Sequence, residues 1–174
     1  MAKEIRASAW RKLERPYTRK SRYRKKAYVR SMPHNKLVRF VMGNKTKEFN
    51  YKLSLVSKQG IQLRHNSLEA GRKAVNKVLE TKIPQNYRFK VRVYPHHALR
   101  NNPLASGAGA DRMSTGMQRS FGKVISIAAQ VRKGKTVFEV KVDESNKEIA
   151  KEAIHRARSK FPGNYQVIEE KIEN

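Results

Sequence analysis

"YRFKVRVY", residues 87–94, decides how the rest of the chain is read. Tyr87, Phe89, Val91 and Val93 alternate with Arg88, Lys90 and Arg92. Side chains on a strand switch faces at every residue, so the stretch predicts a strand with one apolar face and three aligned cations on the other. No acidic residue stands among those cations, which favours a polyanion-facing surface over an ordinary solvent face.

Upstream, "YKLSLV" (51–56) alternates in the same way, and "IQLRH" (61–65) reads as a short strand paired with it after a turn around Gly60. A helix is predicted from about 67 to 82, with Asn66 as N-cap and Glu69 at capping-box spacing. Leu68, Gly71, Val75, Val78 and Leu79 share one face, and Gly71 on that face predicts close packing. Downstream, "VISIAAQV" (124–131) and "TVFEVKV" (136–142) read as a hairpin turning at Gly134. A second helix is predicted over 146–160, capped by Ser145 with Glu148 and stopped by "FPG" (161–163). Its core stripe is Ile149, Ala153, Ile154, Ala157 and Phe161. "YQVIEEKI" (165–172) completes the pattern as a strand. The fold class is α+β: a two-layer sandwich of two helices on a mainly antiparallel sheet.

Charge divides the chain. Forty Lys and Arg against 14 Asp and Glu give a net +26 over 174 residues. Residues 1–47 hold 16 Lys/Arg against Glu4 and Glu14, whereas 136–174 are nearly neutral, with seven Lys/Arg and eight Asp/Glu. Such self-repulsion disfavours a compact isolated chain, and nucleic acid is its natural counterweight, because each neutralised phosphate releases counterions. Residues 1–47 therefore read as a basic RNA-binding arm, and 48–174 as a single α/β domain. Within the arm, "RPYTRKSRYRKKAYVR" (15–30) interleaves Tyr17, Tyr23 and Tyr28 with cations, a mixture suited to stacking on unpaired bases and tracking a backbone. The apolar stretch "LVRFVMGN" (37–44) reads as docking the arm.

Between the strands lies "NNPLASGAGADRMSTGMQRSFGK" (101–123), which holds four of the nine glycines and has neither helical nor strand period. A structureless segment longer than about 12–15 residues inside a domain is usually functional. Its small residues allow backbone amides to approach phosphates closely.

Catalytic readings fare poorly. "GAGADR" (107–112) has Arg112 where a dinucleotide fingerprint needs its third glycine. "GMQRSFGKV" (116–124) has the wrong glycine spacing for a phosphate-binding loop, and Val124 where Mg²⁺ needs Ser or Thr. Adjacent His96 and His97 point apart on an extended chain, cysteine is absent, and Asp111 is the sole acidic residue of 84–135. The expectation is no enzyme, no metal and no cofactor. "MAKEIRASAW" lacks a signal-peptide apolar run and "VISIAA" is too short to span a bilayer, so a soluble intracellular protein is expected, with no membrane partner.

"RPYTRKSRY" (15–23), "AGADRMSTGMQRSFGK" (108–123) and "AIHRARSKFPG" (153–163) resemble, in the right order, the universal large-subunit ribosomal protein family called L-sixteen in bacteria and L-ten-e in archaea and eukaryotes, here of archaeal type. The resemblance implies a hammerhead-type α/β sandwich docked on large-subunit rRNA in the cytoplasmic ribosome. It also implies a 101–123 loop directed at the peptidyl-transferase centre, a body near the A-site tRNA, and contact with neighbouring ribosomal proteins and late-assembly factors. On that footing the rRNA-binding candidates are Arg15, Arg19, Lys20, Arg22, Tyr23, Arg24, Lys25 and Lys26 in the arm and Arg88, Lys90 and Arg92 on the strand. The candidates for the loop near A- and P-site tRNA are Ser106, Gly107, Ala108, Gly109, Ala110, Asp111, Arg112, Met113, Arg119 and Lys123. The alternative is a non-ribosomal RNA-binding module or RNA-modification protein. A chromatin-like DNA compactor is a further rival.

Overall fold

The structure, a computed structural model, describes residues 6–18, 23, 29, 31–102, 107–109 and 122–172. The alternation at 87–94 does form a strand, β4 (Tyr87–Val91), and it is flanked on both sides. One neighbour is β1 (Val41–Gly43) and the other β7 (Thr136–Val142), which pairs in turn with β2 (Tyr51–Ser57). The outer strand β8 (Tyr165–Lys171) lies on the far side of β2, giving the antiparallel order β1-β4-β7-β2-β8. The sheet thus recruits residues 41–43, inside the basic stretch that precedes residue 48.

A second antiparallel sheet has the order β3-β6-β5, from β3 (Ile61–Arg64), β6 (Lys123–Val131) and β5 (His97–Asn101). This corrects two expected pairings. β3 does not fold back on β2, because β7 and β8 already occupy both edges of β2. Likewise β7 does not return along β6, whose edges belong to β3 and β5. The turn at Gly134 exists, with φ +80°, but it carries the chain from one sheet to the other.

Two helices, α1 (His65–Lys82) and α2 (Lys147–Arg158), pack on each other and over the larger sheet. The strand registers set Leu53, Leu55, Phe89, Phe138 and Val140 on one face, all fully buried in the main core. Gly71 of α1 meets this layer closely: a Cβ there would lie 2.6 Å from Phe161 Cζ and 3.2 Å from Phe138 Cε2. The glycine lets the Phe138 and Phe161 rings meet edge to face at 5.1 Å, an arrangement worth about 0.5–1.5 kcal/mol beyond area burial.

Neither expected cap forms. α1 starts at His65 straight from an extended Arg64, so Asn66 lies inside the helix. Its start is set by tertiary contact: His65 is buried and its Nδ1 accepts the Lys36 N–H at 3.3 Å. Glu69 forks onto Arg72 at 2.6 and 2.8 Å instead of closing a capping box. Ser145 lies in a 3₁₀ turn, Glu144–Asn146, ahead of α2. Asn146 donates its N–H to the Asp143 carbonyl there, and no side chain caps the helix.

Candidate nucleic-acid interface

The face of the larger sheet turned away from the helices carries Arg88 and Lys90 on β4, Glu139 and Lys141 on β7, and Lys52 on β2. Lys141 stands directly opposite Arg88 on one side and Lys52 on the other, a cross-strand row of three cations. Like charges placed opposite each other on adjacent strands destabilise a sheet, so folding alone gives no reason for the row. Lys52 is relieved by Glu170 of β8 at 2.7 Å, and Arg92, just past β4, lies 3.5 Å from Glu139. A basin of about 380 Å³ opens beside the row, lined by Lys52, Lys90, Arg92, Lys135 and Glu139.

The helical side is organised differently. Glu169 takes Lys147 at 2.8 Å and Lys151 at 3.0 Å, while Glu152 takes Lys82 at 2.5 Å and Arg156 at 2.8 Å. Those hydrogen bonds hold both carboxyls below their usual pKa. These four cations are each paired with a carboxylate of the near-neutral C-terminal part of the chain. The open sheet face keeps its excess.

The chain from Trp10 to Tyr17 straps across the smaller sheet. The Arg11 carbonyl accepts the Gln62 N–H at 2.9 Å, and the Trp10 carbonyl accepts from the Gln62 amide at 3.0 Å. Farther on, Gln130 Nε2 donates to the Glu14 carbonyl at 2.8 Å. Tyr17 then closes the strap on β5: its N–H donates to His97 Nδ1 at 2.8 Å, and its carbonyl accepts the Ala98 N–H at 3.0 Å. The Arg100 guanidinium covers the Tyr17 ring, 3.7 Å from its centroid. Trp10 is buried against Leu99 and Ala128. His97 must be neutral at Nδ1 to accept that bond, and burial, with Arg100 adding, holds its pKa below the usual value. The half-buried Tyr17 ring thus also serves the strap.

The glycine-rich segment grows from the same sheet. Asn101, last in β5, is the register partner of Lys123, first in β6, so the excursion leaves and returns at one point. Gly122 makes that closure possible. Its φ is +117°, and a Cβ would lie 2.4 Å from the Asn101 carbonyl oxygen. Gly107 and Gly109 also have positive φ, 127° and 77°, and both are exposed with Ala108 between them.

Among the candidates named from sequence, Arg88, Lys90 and Arg92 share the open sheet face, Arg15 is exposed on the strap, and Tyr23 is exposed. Lys123 sits exposed at the root of the loop. Arg19, Lys20, Arg22, Arg24, Lys25, Lys26, Ser106, Ala110, Asp111, Arg112, Met113 and Arg119 lie outside the described residues. Sequence reasoning passed over Lys52, Lys135 and Lys141. The alternations in "YKLSLV" and "TVFEVKV" put Lys52 and Lys141 on polar faces, but only the strand order brings them to Arg88. Among the described residues no cluster of His, Asp and Glu is placed to hold a metal ion, and no helix is long and apolar enough to cross a membrane.

The family model described as ribosomal protein L16p/L10e matches residues 16–168. The large ribosomal subunit protein uL16 of Archaeoglobus fulgidus is 43% identical over 166 residues, 95% of this chain and 92% of that protein. The proteins of the same name from Methanocella arvoryzae and Hyperthermus butylicus are 47% identical over 150 residues and 46% over 148. Those alignments cover 86% and 84% of this chain, and 87% and 79% of the relatives. With a family match across most of its length and archaeal relatives this similar, the chain belongs to the ribosomal protein L16p/L10e family.

Proposed function

We propose that this protein binds large-subunit rRNA through the Arg88–Lys141–Lys52 row and the basic arm, while the 101–123 segment helps position A- and P-site tRNA near the peptidyl-transferase centre. As a ribosomal protein of the large subunit it is a structural component rather than an enzyme, with rRNA and other ribosomal proteins as partners. The observation that carries the RNA-binding reading is the cation row. Lys141 sits between two like charges that weaken the free sheet, and a phosphate backbone laid across the row converts that repulsion into attraction. The tRNA role rests on the family and on the placement of the segment's root beside the strapped arm.

Large subunits reconstituted with a chain lacking 105–118 test the loop. The expected result is particles that assemble but bind A-site tRNA weakly and translate slowly. Particles indistinguishable from intact ones in both respects would remove the tRNA role and leave the rRNA role standing.

A further inference from the structure

Beyond the cation row, the turn after β4 presents a second kind of surface. Val93 and Pro95 are buried, whereas Tyr94 and His96 are exposed. His96 donates its N–H to the Tyr94 carbonyl at 3.0 Å, closing a three-residue turn around Pro95 that throws both rings outward. The rings lie 4.6 Å apart. Tyr94 also stacks on Phe40 at 5.4 Å with an interplanar angle of 17°. Phe40 is itself fixed, because its carbonyl accepts the Val91 N–H at 2.8 Å. The outcome is a run of three aromatic rings, Phe40, Tyr94 and His96, in which the shared ring of Tyr94 keeps 47% of its surface exposed.

A cavity of about 280 Å³ adjoins the two exposed rings, with Thr18, Pro33, Asn35 and Pro95 in its lining. That is near the lower end of pockets that hold small organic molecules, roughly 300–1,000 Å³. Asn35 Oδ1 accepts the Leu37 N–H at 3.0 Å, so the amide is held in place while its N–H donors remain for another acceptor. Along the chain, exposed Lys36 follows Asn35, exposed Arg39 precedes Phe40, and exposed Arg92 precedes Tyr94 by two residues.

From this arrangement we infer a nucleobase site: an unpaired base of the bound RNA stacks on Tyr94 and His96 and turns its polar edge toward Asn35. Rigid rings on a backbone anchor and a fixed amide are parts that unstacked bases need. The chain's net charge of +26 favours a nucleic-acid occupant over a protein one. The inference rests on the RNA-binding reading above and adds what the cation row cannot do, which is to hold a base rather than a phosphate.

The test uses the full-length chain and a short single-stranded RNA carrying one aminopurine, whose fluorescence is quenched on stacking. Binding should quench the probe. Tyr94→Leu should lose the quenching and about tenfold in affinity, within the range for one base–aromatic stack, with the salt dependence unchanged because no phosphate contact is removed. Tyr94→Phe should retain both, and unaltered Trp10 emission checks the fold of each variant. Equal quenching and affinity for Tyr94→Leu and the parent overturn the platform alone. A parent that does not bind the probe overturns the RNA reading with it. A photo-crosslinker at position 94 in assembled large subunits should label RNA, and labelling of a protein instead sinks the proposal.

Discussion

Arg88 and Lys141 stand directly opposite each other on neighbouring strands, with Lys52 continuing the row. Opposed like charges weaken a strand pair by roughly 0.2–1 kcal/mol. Lys141→Thr should therefore stabilise the free protein by a few tenths to about 1 kcal/mol, helped by the β-propensity of threonine. The same change should weaken RNA binding and flatten log K against log salt by about 0.7–0.9 for one lost phosphate contact. Lys151→Gln, on the helical side and paired there with Glu148 and Glu169, should leave RNA binding unchanged. Denaturant titration and binding across salt concentrations check the pair. An unchanged slope for Lys141→Thr demotes the row.

Gly71 carries an opposite expectation from helix propensity alone. Alanine in an exposed helix interior is favoured over glycine by about 1 kcal/mol. Here the new methyl would press on a Phe161 ring held between Phe138 at 5.1 Å and Tyr165 at 5.7 Å, so it cannot swing aside. Overpacking of this kind costs about 1–3 kcal/mol. Gly71→Ala should lower the urea midpoint, with a net loss of about 1–2 kcal/mol; a higher midpoint would show that Phe161 yields.

The strap should respond to acid. Burial favours neutral His97 in the folded state, so the unfolded chain binds more protons as pH falls through the ordinary histidine value of about 6.5. The stability contributed by His97 is complete above that pH and declines below it, toward the lower folded pKa. Protonation also removes the acceptor for the Tyr17 N–H. Trp10 is the only tryptophan and lies buried in the strap, so its emission reports docking. Between pH 7 and 5 the emission should shift to the red, and His97→Gln should show a flatter profile. Equal profiles would locate the acid response elsewhere.

Folding should not depend on the length of the glycine-rich excursion. Asn101 and Lys123 are already paired at its root, and loop-closure entropy changes slowly with length. Deleting 105–118 should change stability by less than about 1 kcal/mol. Gly122→Val should cost more, about 1–3 kcal/mol, because it combines a strained φ with a clash against the Asn101 carbonyl. Thermal melts of both variants decide the ordering.

Local pattern was enough for β4, α1, α2 and β8, since each has an apolar face of the right period. It was also enough for Gly71, the one small residue on a stripe of larger ones. Helix starts were misread because Asn66 and Ser145 have good capping chemistry, yet His65 is held by Lys36 and a 3₁₀ turn precedes α2. Trp10 gave no period to read; its burial depends on β5 and β6 being neighbours.

By itself the sequence determined where both helices and six of the eight strands lie, which side of those strands is apolar, and that a large positive charge is concentrated toward the front of the chain. These properties follow from spacing along one segment. Tertiary structure alone decided which cations stand together, where the arm is fastened and where the loop is rooted. A strand has only two edges, and whichever partners fill them determine its neighbours. Lys52, Arg88 and Lys141 lie far apart along the chain and became a single row because β7 took the edges of both β2 and β4.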